Sequence, residues 1–152
     1  MEEVKLLGKI KKKFRKGVEA QAKEDIIEVK VELPRLLELL AWLKSKNFNY
    51  FSFLTAVDRK THFELFYHLV NIESGEKVLV RTEVEREDST VPSVVSLWKG
   101  ADWQERETYD LFGVTFEGNP SLKRILLPED WEGFPLRKDY EDPDVVRRPE
   151  YF

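Results

Sequence analysis

Prolines punctuate the last third of this chain so closely that neither a continuous helix nor an interior strand can form there. Five of the seven prolines, Pro120, Pro128, Pro135, Pro143 and Pro149, follow Gly118. Each removes a backbone donor and fixes φ. The same stretch carries Phe116, Leu122, Ile125, Leu126, Leu127, Trp131, Phe134, Leu136 and Tyr140, more apolar surface than a solvated tail carries. Extended, the segment from Asn119 to Tyr151 could reach about 110 Å, well beyond the diameter of a small domain. The expectation is an ordered C-terminal arm over 113–152 that shelters its hydrophobic side chains on another polypeptide, following a globular domain over 1–112.

The globular part reads as α+β. Val4, Leu7, Ile10 and Phe14 recur at helical spacing, so the first segment is an amphipathic helix. Its polar side holds Lys9, Lys11, Lys12, Lys13, Arg15 and Lys16, either a solvated basic face or a contact for anionic lipid or an acidic partner. Ile27, Val29 and Val31 alternate with charged residues as in a half-buried strand. Pro34 suits a helix start, and Leu36, Leu37, Leu40 and Leu43 form the stripe of a second helix. Three β-rich runs follow over 50–58, 62–72 and 77–86, with gaps short enough for antiparallel hairpins. These features predict a mixed or antiparallel sheet of about four strands with helices packed on it. Pro92 is expected to open a short apolar helix over 94–98. Asp102 and Glu105 have capping-box spacing for a further helix that ends at Gly113.

Composition removes several kinds of chemistry. No cysteine is present, so disulfides, thiolate metal sites, iron–sulfur ligation and a cysteine nucleophile are excluded together. A net charge of −4 argues against a general nucleic-acid binder. His62 and His68 are the only histidines. On one strand they share a face but stand about 20 Å apart, too far to share a metal. The glycines are isolated, so no phosphate-binding loop is supported. Met1-Glu2-Glu3 precedes no apolar run of signal or membrane-spanning length, which leads to the expectation of an intracellular protein that does not itself cross a membrane. High Lys and Glu with no Cys and one Met resembles proteins that work at high temperature.

Glu105, Arg106, Glu107 and Asp110 crowd one short helix. Arg106 and Asp110 at i, i+4 suit a helix ion pair. Glu107 and Asp110 could also form an acid/base pair of the glycosidase kind, although nothing else supplies the required pocket.

The wider order is more specific. Glu105-Arg106-Glu107-Thr108-Tyr109-Asp110-Leu111-Phe112-Gly113 is followed by Asn119-Pro120, by Arg124-Ile125-Leu126-Leu127-Pro128, and by the run from Asp130 and Trp131 to Pro135-Leu136-Arg137-Lys138-Asp139-Tyr140. This succession resembles the 30-kilodalton subunit of respiratory complex I, the NADH-quinone oxidoreductase, a family shared with membrane-bound hydrogenase and ferredoxin-linked complexes. One position departs, because Asn119 stands where the family pattern usually has His or Lys. The resemblance implies a peripheral-arm subunit that binds no cofactor itself and scaffolds a large 49-kilodalton-like or hydrogenase-like subunit beside iron–sulfur subunits. Iron–sulfur clusters, and nickel–iron in the hydrogenase branch, would then belong to those partners. Nucleic acid is not among the partners, and membrane association, on the cytoplasmic face, comes through the complex. Within this reading Trp131, Phe134, Leu136 and Tyr140 are expected to anchor the arm in partner pockets. Arg124, Arg137, Lys138 and Asp139 are expected to satisfy charges at the edges. Glu105, Arg106, Glu107 and Asp110 form the structural motif at the arm's root, with Glu107 and Asp110 expected to pair with the arm's own basic residues. A self-contained binding module, its tail folded back on its own sheet, is the alternative from a different class.

Overall fold

The computed structural model describes residues 2–142, so Pro143, Pro149 and the end of the arm lie outside the described residues. Helix α1 (Glu2–Lys13) leads to strands β1 (Val18–Lys23) and β2 (Ile26–Val31). Helix α2 (Leu36–Ser45) then precedes a meander of β3 (Tyr50–Asp58), β4 (His62–Val70) and β5 (Lys77–Glu85). Five strands form one mixed sheet in the order β1-β2-β5-β4-β3, with β2 and β5 parallel and the other pairs antiparallel. The architecture is the expected α+β, with one strand more than expected. The extra strand is β1, an edge strand whose Ala20, Gln21 and Ala22 carry little strand propensity and which forms by pairing with β2.

Alternation sets the two faces of the sheet. Ile27, Val29 and Val31 on β2, Phe63, Leu65, Tyr67 and Leu69 on β4, and Val78, Val80 and Val84 on β5 all point into the core. The helices supply the other half of that core with Leu6, Ile10 and Phe14 from the first segment and Leu36, Leu39, Leu40 and Leu43 from α2. Phe14 meets Trp42 edge-on, with ring centroids 5.6 Å apart. Two apolar stripes differ from the expected ones. Leu37 is 41% exposed while Leu39 is buried, and Val4 is 70% exposed while Leu6 is buried. Neighbouring positions on a helix fit a 3.6-residue repeat almost equally well, and the tilt against the sheet decides between them.

Beyond the sheet, β6 (Thr90–Pro92) and β7 (Thr115–Glu117) form a two-stranded parallel ribbon. Pro92 therefore ends a strand rather than opening a helix, and residues 94–98 make a turn, closed by a bond from the Trp98 amide to the Val94 carbonyl at 2.9 Å. The Trp98 indole N–H donates to the Phe48 carbonyl at 3.0 Å, which fixes this apolar turn as a plug in the core. Helix α3 (Ala101–Phe112) packs against edge strand β3. Gln104 Oε1 accepts the Leu54 amide at 3.3 Å, covering a donor that an open edge leaves free. Gly113 closes α3 with φ +78 and a bond from its amide to the Tyr109 carbonyl, as expected. The division between body and arm lies further along than residue 112, since Val114 and Phe116 are fully buried.

The two leucines of α2 distinguish the buried face of that helix from its exposed one. Leu39→Ala is expected to cost about 2–5 kcal/mol in denaturant unfolding. Leu37→Ala should stay within about 0.5 kcal/mol of the parent.

Candidate functional site: the latch between the domain and its arm

Asp110 is fully buried on α3 and organises the beginning of the arm. Its Oδ2 accepts the amides of Ile125, Leu126 and Leu127 at 3.1, 2.7 and 3.0 Å. Its Oδ1 accepts Arg124 Nη1 at 2.8 Å. Arg124 also donates to the carbonyls of Asp110, Trp131 and Gly133 at 2.9, 3.0 and 2.8 Å. One carboxylate and one guanidinium thus give a proline-rich segment the backbone partners that a helix or sheet would otherwise supply. The helix ion pair expected between Arg106 and Asp110 does not form. Arg106 donates to the Lys123 carbonyl at 3.3 Å and lies over Trp103. Glu107 is exposed, with no ion pair among the described residues.

A second buried carboxylate, Asp58 at the end of β3, holds the far part of the arm. It accepts the Lys60 amide at 2.8 Å, the Arg86 guanidinium, and the Lys138 amide at 2.8 Å. Arg86 reaches on to Asp139 at 2.7 Å. Between the two carboxylates, cations and rings alternate. Arg86 and Arg137 lie 5.0 and 5.1 Å from the Phe63 centroid, and Arg137 and Arg124 lie 4.9 and 5.0 Å from that of Phe134. Such contacts stabilise most when removed from water. Arg137 Nε donates to the Phe112 carbonyl at 2.6 Å, and the Leu136 amide donates to the Leu111 carbonyl at 3.0 Å. Two glycines make the close approach possible. A Cβ on Gly113 would sit 2.6 Å from the Phe134 ring, and one on Gly133, at φ +85, would sit 2.9 Å from Tyr140.

These contacts place Arg124, Phe134, Arg137, the Lys138 backbone and Asp139 against the chain's own domain. Other arm residues face outward. Leu126 is 63% and Leu136 51% exposed, while Trp131 and Tyr140 are half-buried. Pro128, Trp131, Phe134, Arg137 and Tyr140 line an open concavity of about 710 Å³ together with the acidic Asp130, Glu132, Asp139, Glu141 and Asp142. Nε1 of Trp131 is buried without a hydrogen-bond partner among the described residues.

Glu105, also fully buried, does not close the expected capping box. It accepts Ser93 Oγ at 2.5 Å and the Val94 amide at 3.2 Å, tying α3 to the end of β6. The Asn119 side-chain amide, a neutral donor where His or Lys was the expectation, stands 3.5 Å from it. Burial accordingly pushes the Glu105 carboxyl above its ordinary value, opposed only in part by Ser93, Val94 and Asn119. Asp110 shows the reverse. Burial pushes it upward, but Arg124 and the three amides outweigh that and hold it below the usual aspartate range. The Arg86 guanidinium holds Asp58 well below that range.

His62 and His68 occupy the outer face of the sheet. His68 stacks on Phe53, and His62 lies within 4.8 Å of Glu64 and Glu83. The carboxylates of that group are already answered by Arg59, Arg81 and Lys30, an ion-pair network rather than an open ligand set. Asp58 and Arg86 were not among the residues the sequence pointed to. Their partners lie 80 and 53 positions away, and a lone Asp at the end of a strand gives no local sign of them.

The model of the respiratory-chain NADH dehydrogenase 30 kDa subunit family matches residues 29–145, which span both carboxylates and the arm they hold. The chain belongs to that family. A relative described as NAD(P)H-quinone oxidoreductase subunit J, from Prochlorococcus marinus strain NATL1A, is 42% identical over 125 residues, covering 76% of this chain and 72% of the relative. Among solved structures, a trypsin-resistant fragment (1–134) of Nqo5 aligns with TM-score 0.70 and 30% identity over 80% of this chain and all of the fragment. A chain from an archaeal respiratory membrane complex, the membrane-bound sulfane sulfur reductase, aligns over the full length of both chains with TM-score 0.84 and 27% identity.

Asp110→Ala is expected to cost about 3–5 kcal/mol, because it strands Arg124 and three amides. The pH dependence has two parts. Depressed folded-state values at Asp58 and Asp110 contribute stability that is present above the ordinary aspartate value of 3.8 and is lost as pH falls through and below it. A raised value at Glu105 acts oppositely, so its share of stability declines as pH rises above 4.5. Urea midpoints measured from pH 3 to pH 8 should show the acid-side loss shrink in Asp110→Ala and the decline above 4.5 flatten in Glu105→Gln.

Proposed function

We propose that this chain is a structural subunit without redox centres in a membrane-associated, ion-translocating oxidoreductase complex of the complex I type, where it scaffolds the large catalytic subunit. The observation that carries the reading is the two-sidedness of the arm. Its polar inner side is fastened to Asp58 and Asp110, and its outer side presents Leu126, Leu136 and the concavity bordered by Trp131 and Tyr140. An arm ordered in advance loses less entropy on docking than a free tail, and aromatic anchors beside arginines suit a protein interface. With no cysteine in the sequence, iron–sulfur clusters, and nickel–iron in the hydrogenase branch, are assigned to the large subunit and its iron–sulfur neighbours. The chain contributes shape rather than electron transfer. No helix of the described residues is long and apolar enough to cross a membrane. In this role the chain sits peripherally at the cytoplasmic face, attached through the complex.

A second reading, the equivalent subunit of a hydrogenase-like or ferredoxin-linked complex, is favoured by the full-length alignment with the sulfane sulfur reductase chain. Both readings require the same docking surface. Co-expression with the adjacent large subunit tests it. Leu126→Asp with Leu136→Asp should abolish co-purification while leaving the melting temperature of the isolated chain within about 3 °C. Co-purification that survives both changes would show that the outer side of the arm is not the interface.

A further inference from the structure

We propose that the polar face of α1 is an electrostatic contact for an anionic phospholipid surface, which deepens the membrane-associated reading above by naming where this chain would meet the bilayer. Charge is distributed very unevenly along the sequence. Up to Lys16 there are seven cations against two carboxylates, whereas the remainder carries eighteen cations against twenty-seven carboxylates. All seven cations, Lys5, Lys9, Lys11, Lys12, Lys13, Arg15 and Lys16, are exposed. None takes part in an ion pair among the described residues, while Lys23, Lys30, Arg35, Arg59, Lys77, Arg81, Arg86 and Arg124 all do. Lys46, at the end of α2, adds to the same region and lines a shallow depression with Lys5 and Lys9.

The geometry of the helix limits what can bind. At 100° per residue Lys5 and Lys12 fall on the side opposite Leu6 and Ile10, and Lys9 flanks it. Leu6 and Ile10 are buried in the core, so α1 has no apolar face left to insert into a membrane or to fill a partner's pocket. What remains is a cluster of long, exposed cationic side chains, six of the seven being lysine. Protein interfaces are depleted in lysine and enriched in arginine and aromatic residues. A fluid layer of phosphate headgroups needs no shape match and attracts clustered lysines within a Debye length.

Flotation of the full-length chain with vesicles tests the inference. Vesicles of phosphatidylcholine containing about 30% phosphatidylglycerol should carry the chain at low salt, and phosphatidylcholine alone should not; binding should vanish near about 0.5 M NaCl. The triple variant Lys5→Glu, Lys9→Glu, Lys12→Glu should weaken binding at least about tenfold with an unchanged circular dichroism spectrum. Lys30→Glu, Lys77→Glu, Lys99→Glu makes the same change in net charge elsewhere and should bind as the parent does. Equal loss in both triple variants would reduce the effect to net charge and overturn the inference, as would absence of binding to the anionic vesicles. A chain that co-purifies with the large subunit but ignores these vesicles would overturn this inference alone and leave the docking role of the arm intact.

Discussion

Two buried aspartates, Asp110 on α3 and Asp58 at the end of β3, determine what the proline-rich third of the chain can be. A segment with so many prolines cannot satisfy its own amides, and unsatisfied amides cannot be held against a protein surface. Asp110 accepts three of those amides in succession, and Asp58 accepts a fourth. The guanidiniums of Arg124 and Arg86 neutralise the two carboxylates, and Arg137 bridges the Phe63 and Phe134 rings between them. Remove either carboxylate and the opposing cation loses its reason to be buried.

In the role proposed above, the latch gives the chain a preformed surface to offer to a larger assembly. The inner side of the arm is polar and closed, and its outer side is open, with Leu126, Leu136, Trp131 and Tyr140 set among acidic residues, so in the proposed role the surface a partner reads is shaped by contacts it never touches. Gly113 and Gly133 belong to this design, because their missing side chains are what admit Phe134 and Tyr140. Glu105 is a separate element. It joins α3 to the turn after β6, and with Asn119 beside it rather than a cation, it keeps its charge less readily than Asp110 does.

Much of the fold is legible in the sequence. Alternation at Ile27, Val29 and Val31, and the hairpin gaps near Lys60 and Gly75, place the strands, and Gly113 marks the end of α3. What could not be read depends on distant partners. Strand β1 alternates only through the small Ala20 and Ala22 after Val18, too weak a signal to read, and forms by pairing with β2. Residues 94–98 follow Pro92 as a short helix would, but the Trp98 indole N–H donates to the Phe48 carbonyl and holds them as a turn. For the latch, the motif that includes Asp110, Arg124 and Arg137 marks the right region, yet the partners differ from those that local spacing suggests. Arg106 is four residues from Asp110 and loses it to Arg124, because a guanidinium from the arm brings three amides with it. Asp58 and Arg86 lie outside the motif, and only the folded chain brings them to Lys138 and Asp139.

Amide hydrogen exchange in the isolated chain, read by NMR at Ile125, Leu126, Leu127 and Lys138, tests most directly whether these carboxylates hold the arm without a partner. At neutral pH all four amides should be protected. Asp110→Ala should release the first three, and Asp58→Ala should release the fourth. Unprotected exchange at all four in the unaltered chain, with the sheet amides still protected, would contradict the latch.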